Sequence, residues 1–163
     1  MIKIWVLAIL ILLTCCKNSV FEDCLHGKPK PLYDIEFPNV ISHEFEIKKD
    51  ISIEKVSFSQ NYGVTVLQSG CEKFTQEFIF NFSSPPYFLE DWQLLAIREL
   101  EKLGNQRNDN IAYKAWANLI QTRIDELNNG GAVELTSGFF ASIRKSILED
   151  GFQIIITLSE ESH

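Results

Sequence analysis

The chain has 163 residues, 45% of them hydrophobic and 23% charged, so it is expected to bury one core and to be neither largely disordered nor multidomain. Its 22 Asp and Glu outnumber 15 Lys and Arg, giving a formal charge of -7 with His neutral. The basic residues are scattered among these carboxylates. That pattern excludes nucleic acid as a partner, because counterion release from phosphates needs clustered Lys and Arg.

The chain opens MIKIWVLAILILLTCC, with Lys3 the single charged side chain before Cys16 and an uncharged run from Ile4 to Leu13. Ten residues make about 15 Å of helix, roughly half the hydrocarbon thickness of a bilayer. The run is therefore expected to be an export signal and not a permanent membrane span. Removing it takes away the charge of Lys3 and leaves the remainder at about -8 by the same count.

The end of this run, Leu12-Leu13-Thr14-Cys15-Cys16, resembles the bacterial lipobox, in which a Leu three places before a Cys, with small residues between, directs cleavage and lipidation. Cys16 fits with Leu13 in the leucine position; Cys15 is the alternative, with Leu12 in that position. At neither site is the preceding residue the usual Gly, Ala or Ser. The resemblance covers this leader alone. It implies a diacylglyceryl thioether and an acylated amino terminus, enough acyl chains for stable anchoring. The membrane is then a partner through the N-terminal lipid, and the location is the bacterial cell envelope, facing the periplasm or the exterior. Cleavage before Cys16 removes Cys15 and leaves Cys24 and Cys71, an even pair expected to form a disulfide in an oxidising compartment.

The expected organisation is a signal peptide at 1–15, a lipid-attachment and tether segment at 16–38, and one α+β domain at 39–163. Within the tether, Lys28-Pro29-Lys30-Pro31 and Pro38 interrupt any regular pattern. Leu32, Tyr33, Ile35 and Phe37 suggest a short edge strand there.

From Ser42 the apolar residues take a period of two, with His43, Phe45 and Ile47 on one side, then Ile51 and Ile53, then Val64 and Val66. The phase switches by one residue between Ile53 and Val56, which predicts a bulge or break. Phe74, Phe78, Phe80 and Phe82 share a face opposite Lys73, Thr75, Glu77 and Asn81. Asn61-Tyr62-Gly63 and Gln68-Ser69-Gly70 supply turns, so an antiparallel meander is expected.

Ser83-Ser84-Pro85-Pro86 ends the meander. Residues 89–103 then place Trp92, Leu95 or Ala96, Glu99 or Leu100, and Leu103 at helical spacing, with Gly104 as the expected C-terminal stop. A second helix is predicted at 111–127, capped by Asn108 or Asp109 and followed by Gly130-Gly131. Phe139, Ile143 and Ile147 fit either helix or strand over 139–148. Glu149-Asp150-Gly151 before the β-branched run Ile154-Ile155-Ile156-Thr157 favours a hairpin. The fold class is thus α+β: an antiparallel meander against two amphipathic helices, with a C-terminal strand or hairpin returning to the sheet.

Little in the pattern points to catalysis. No G-x-S-x-G elbow is present, and Gly130-Gly131 follows a helix instead of opening one, so it makes no phosphate loop. Asp34, Glu36, Glu44, Glu46 and Glu54 are the carboxylates that could pair as acid and base, though half-exposed strands carry such residues routinely. Cys24, His26, His43 and Cys71 could be drawn as four metal ligands, but C-x-H is not a usual zinc pair. No catalytic residue, metal or cofactor is expected. Tyr87 and Phe88, after two prolines, are the candidate recognition surface. The expected function is a non-catalytic exported lipoprotein whose acidic domain binds another protein or an envelope component. The alternatives are a periplasmic immunity protein that neutralises a delivered toxin and, third, an enzyme that uses carboxylates alone.

Overall fold

The computed structural model describes residues 24–84, 91–127 and 131–160. Among the described residues, seven strands form one antiparallel sheet: β1 (Ser42–Lys48), β2 (Ile51–Ser59), β3 (Tyr62–Ser69), β4 (Thr75–Phe82), β5 (Val133–Thr136), β6 (Phe139–Leu148) and β7 (Gly151–Ser159). Their order is β1-β2-β3-β4-β7-β6-β5, so β7 returns to pair with β4 in the middle of the sheet. Two helices, α1 (Trp92–Gln106) and α2 (Ile111–Thr122), followed by the single turn α3 (Ile124–Leu127), connect the halves. The architecture is α+β, as the periodicities imply.

The alternation along each strand decides which face is core. Register aligns Val56, Val64, Phe80 and Ile154 across β2, β3, β4 and β7, and Val66, Phe78 and Ile156 form the next row. These side chains are buried together with Ala96, Ile97, Leu100 and Leu103 of α1 and Tyr113, Ala117 and Ile120 of α2. Each large apolar side chain so covered contributes about 1.5–3 kcal/mol relative to exposure. The segment 139–148 is strand, because Ala141 and Ile143 continue the same face against Leu158 and Ile156.

Four local expectations change. The phase switch in β2 is not a bulge: the strand is continuous through it, Ile51 and Ile53 lie on the outer face, and Ser52 and Glu54 are buried on the core side. The register irregularity falls later, between Ser57 and Ser59. Gly104 does not stop α1. It lies buried inside the helix, where a Cβ would come 2.3 Å from the backbone nitrogen of Lys114, so its missing side chain lets α2 cross closely. The helix at 111–127 is interrupted at Arg123, whose guanidinium donates to the Glu134 carbonyl of β5 and to Glu126. Its N-cap is Asn110, whose side chain makes no cap bond and whose Nδ2 donates to the Leu32 carbonyl at 3.0 Å.

Residues 24–41 run across the sheet as an irregular strap. Cys24 is bonded to Cys71, and Leu25 N–H donates to the Cys71 carbonyl. No strand forms at 32–37. Tyr33 and Phe37 are instead buried in the core, with Ile35 exposed between them. The described part of the expected tether therefore lies against the domain and does not stand off from it.

Candidate functional site

Glu54 holds the strap in place. One carboxylate oxygen accepts the Leu32 N–H at 2.9 Å, and the other accepts the Tyr33 N–H at 2.8 Å and lies 2.8 Å from His43 Nε2. Burial pushes its carboxyl above the ordinary range, opposed by these donors and by His43. A second buried polar group sits further along the same face, where Tyr113 O–H donates to Gln76 at 3.0 Å. Burial pushes that phenol up to about 12, opposed by the bond to Gln76.

The strap, the β2–β3 end of the sheet and α1 enclose a cleft of about 260 Å³. Glu99, Lys102, Leu103 and Gln106 reach it from α1, since residues three, four and seven apart share a helix face. The aromatic wall is a stack: Tyr33 packs edge-on to Phe58 at 5.8 Å, Phe58 stacks on Tyr62 at 5.2 Å, and Tyr62 on Phe82 at 4.9 Å. Pro38 and Asn39 form the rim, Asn39 at a positive φ of 67° that Asn tolerates better than most residues. Within the cleft the Glu99 side chain is only 12% exposed. It accepts from Tyr62 O–H at 2.7 Å and from Lys102 Nζ at 2.6 Å. Burial, then the Glu99 charge, holds the Tyr62 phenol protonated far above the usual range. Tyr33 is raised likewise by burial, then by Glu54 and Glu99.

The opposite face of the sheet carries no helix among the described residues. Its central rows read Glu46-Ile53-Leu67-Glu77-Thr157-Ser142 and Glu44-Lys55-Thr65-Ile79-Ile155-Arg144 across β1, β2, β3, β4, β7 and β6. Glu44 and Glu46 stand on the edge strand β1, apolar Ile53, Leu67, Ile79 and Ile155 alternate with polar residues inward of them, and Glu77 on the central strand β4 accepts from Arg144 at 3.0 Å. A shallow depression of about 390 Å³ lies over one end of this face, where Gln153 donates to Asn81 at 2.8 Å.

The residues singled out by sequence meet different fates. Cys15 and Cys16 lie outside the described residues, as do Tyr87 and Phe88. Cys24 and Cys71 are bridged, His26 pairs with Glu160 at 3.2 Å, and His43 pairs with Glu54, so these four groups do not gather at one point. The carboxylates are also dispersed: Asp34 meets Arg107, Glu46 meets Lys48, Glu44 is exposed and Glu54 is buried under the strap. The helical spacing in the sequence puts Glu99 among the inward positions of α1 and carries no role for it. A carboxylate on an apolar line was the available signal for the cleft. Comparison of the chain with protein families, with curated proteins and with solved structures finds no match.

Proposed function

We propose that this chain is an exported, lipid-anchored and non-catalytic protein of the bacterial envelope, whose acidic domain binds a protein partner through the open face of its sheet. The observation that carries this reading is the composition of that face: partly buried Ile53, Leu67 and Ile79 and the buried Ile155 lie among Glu44, Glu46, Lys55, Glu77 and Arg144 with no described helix over them. Apolar side chains interspersed with charged and polar ones on an uncovered sheet face suit a protein interface. The Leu12 to Cys16 leader supports anchoring at Cys16, and the Cys24–Cys71 pair suits an oxidising compartment.

The excess of carboxylates favours a basic partner, since complementary charge raises the rate of encounter. A periplasmic immunity protein is the special case in which that partner is a toxin with a basic cleft.

Two measurements test the proposal. Cys16→Ser should move the protein from the membrane to the soluble fraction; unchanged fractionation removes the lipid anchor from the account. A photo-crosslinking residue at Leu67 should give an adduct in cells, while one at Ile111, exposed on α2 on the helical side, should not. Adducts from both positions or from neither would refute the open face as the docking surface.

A further inference from the structure

The cleft beside Glu99 has a chemistry distinct from that of the open face. Its mostly buried charge is a carboxylate, Glu99, and among the described residues the cation paired with it is the Lys102 ammonium. Lys102 is an i,i+3 neighbour whose side chain is 63% exposed. Pairs of that kind contribute a few tenths of a kcal/mol on helix surfaces, because the lysine gives up little by returning to water. A cation entering the cleft would instead meet the same carboxylate beside aromatic side chains, where desolvation strengthens charge pairing.

The surroundings favour that sign of charge. Glu54 lies behind Tyr33, so its negative field adds to that of Glu99, and Tyr33 feels both carboxylates. Tyr62 already donates its O–H to Glu99, and its ring is stacked between Phe58 and Phe82. At about 260 Å³ the space falls below the range of drug-sized sites and suits one side chain or a small amine.

We infer that the cleft bounded by Tyr33, Phe58, Tyr62 and Glu99 is a binding site for an organic cation, an ammonium or guanidinium on an apolar stem, which displaces Lys102 from the Glu99 carboxylate. The cation belongs either to a free small amine or to a Lys or Arg side chain of a polypeptide. The inference stands on the cleft alone and is independent of the open-face proposal.

The test is calorimetric titration of the full mature domain with benzamidine, with its anionic counterpart benzoate, and with a short Arg-containing peptide amide. Benzamidine should bind with a Kd on the order of 1 mM or tighter, and benzoate should not bind. Glu99→Gln, which keeps the shape and removes the charge, should weaken benzamidine about tenfold or more. Lys102→Met should tighten it severalfold by removing the internal competitor. A peptide that binds at least tenfold more tightly than benzamidine identifies a polypeptide side chain as the source, and equal or weaker binding identifies a free amine. Equal binding of benzamidine to the parent and Glu99→Gln proteins would overturn the inference. So would binding of benzoate as tight as that of benzamidine, or no benzamidine heat in either the parent or Lys102→Met protein.

Discussion

Glu54 shows how much of the structure can rest on one carboxylate. It is the acceptor for two backbone N–H groups of the strap and the partner of His43, and its own side chain is 3% exposed. Glu54→Ala should therefore cost roughly 3 kcal/mol in urea unfolding, because one buried and two part-buried donors lose their acceptor at once. Its pH signature has a definite sign. The folded carboxyl lies above the ordinary value of 4.5, so the protein gains stability from its protonation below that pH and loses the gain as pH rises through the folded value. Asp109 and Glu126 have the opposite sign. Held below their ordinary values by hydrogen bonds from Arg107 and Arg123, they contribute stability that is lost as pH falls. Glu54→Gln removes the first effect and leaves the other two. The stability of Glu54→Gln relative to the parent should rise with pH from about 4.5 upward. A difference that stays constant to pH 7 would show that Glu54 does not bind its proton more tightly in the folded protein. In the sequence Glu54 looked like an ordinary strand carboxylate, because Ile51 and Ile53 suggested the wrong side as core.

Among the elements, α1 and α2 owe their close crossing to Gly104. In a solvent-exposed helix, Gly→Ala gains up to about 1 kcal/mol. Here the added methyl would meet the backbone of Lys114, which cannot swing aside as a side-chain end could. Gly104→Ala should thus lower stability by about 1–3 kcal/mol, read from the urea midpoint. A stabilised variant would mean that the helices separate at little cost. The spacing of apolar residues revealed α1 and α2, but glycine has the same letter whether it ends a helix or admits a neighbour. The four-residue β5 is too short for its period to stand out, and it is visible only through its pairing with β6. The aromatic row of β4 was legible for the converse reason: repeated Phe at alternate positions has few uses other than a covered face.

For the whole molecule, the Cys24–Cys71 bond closes a loop with a sequence separation of 47 and fastens the start of the strap beside the β3–β4 turn. The chain-entropy relation makes such a closure worth about 4 kcal/mol. Cys71→Ser should lower stability by that order at most and leave membrane fractionation unchanged, because the lipid is proposed on Cys16. Release from the membrane in Cys71→Ser would show that the two cysteine functions are not separate. By itself, the sequence determined the α+β class, the meander, both helices and the cysteine pair, since each of these is written in local period, composition or parity. Only the tertiary structure decided that β7 inserts beside β4, that the strap folds back onto Glu54, and that Glu99 ends in a cleft lined with aromatic rings. Those outcomes join residues far apart in the chain, and local patterning records whether a side chain faces a core without recording what stands across from it.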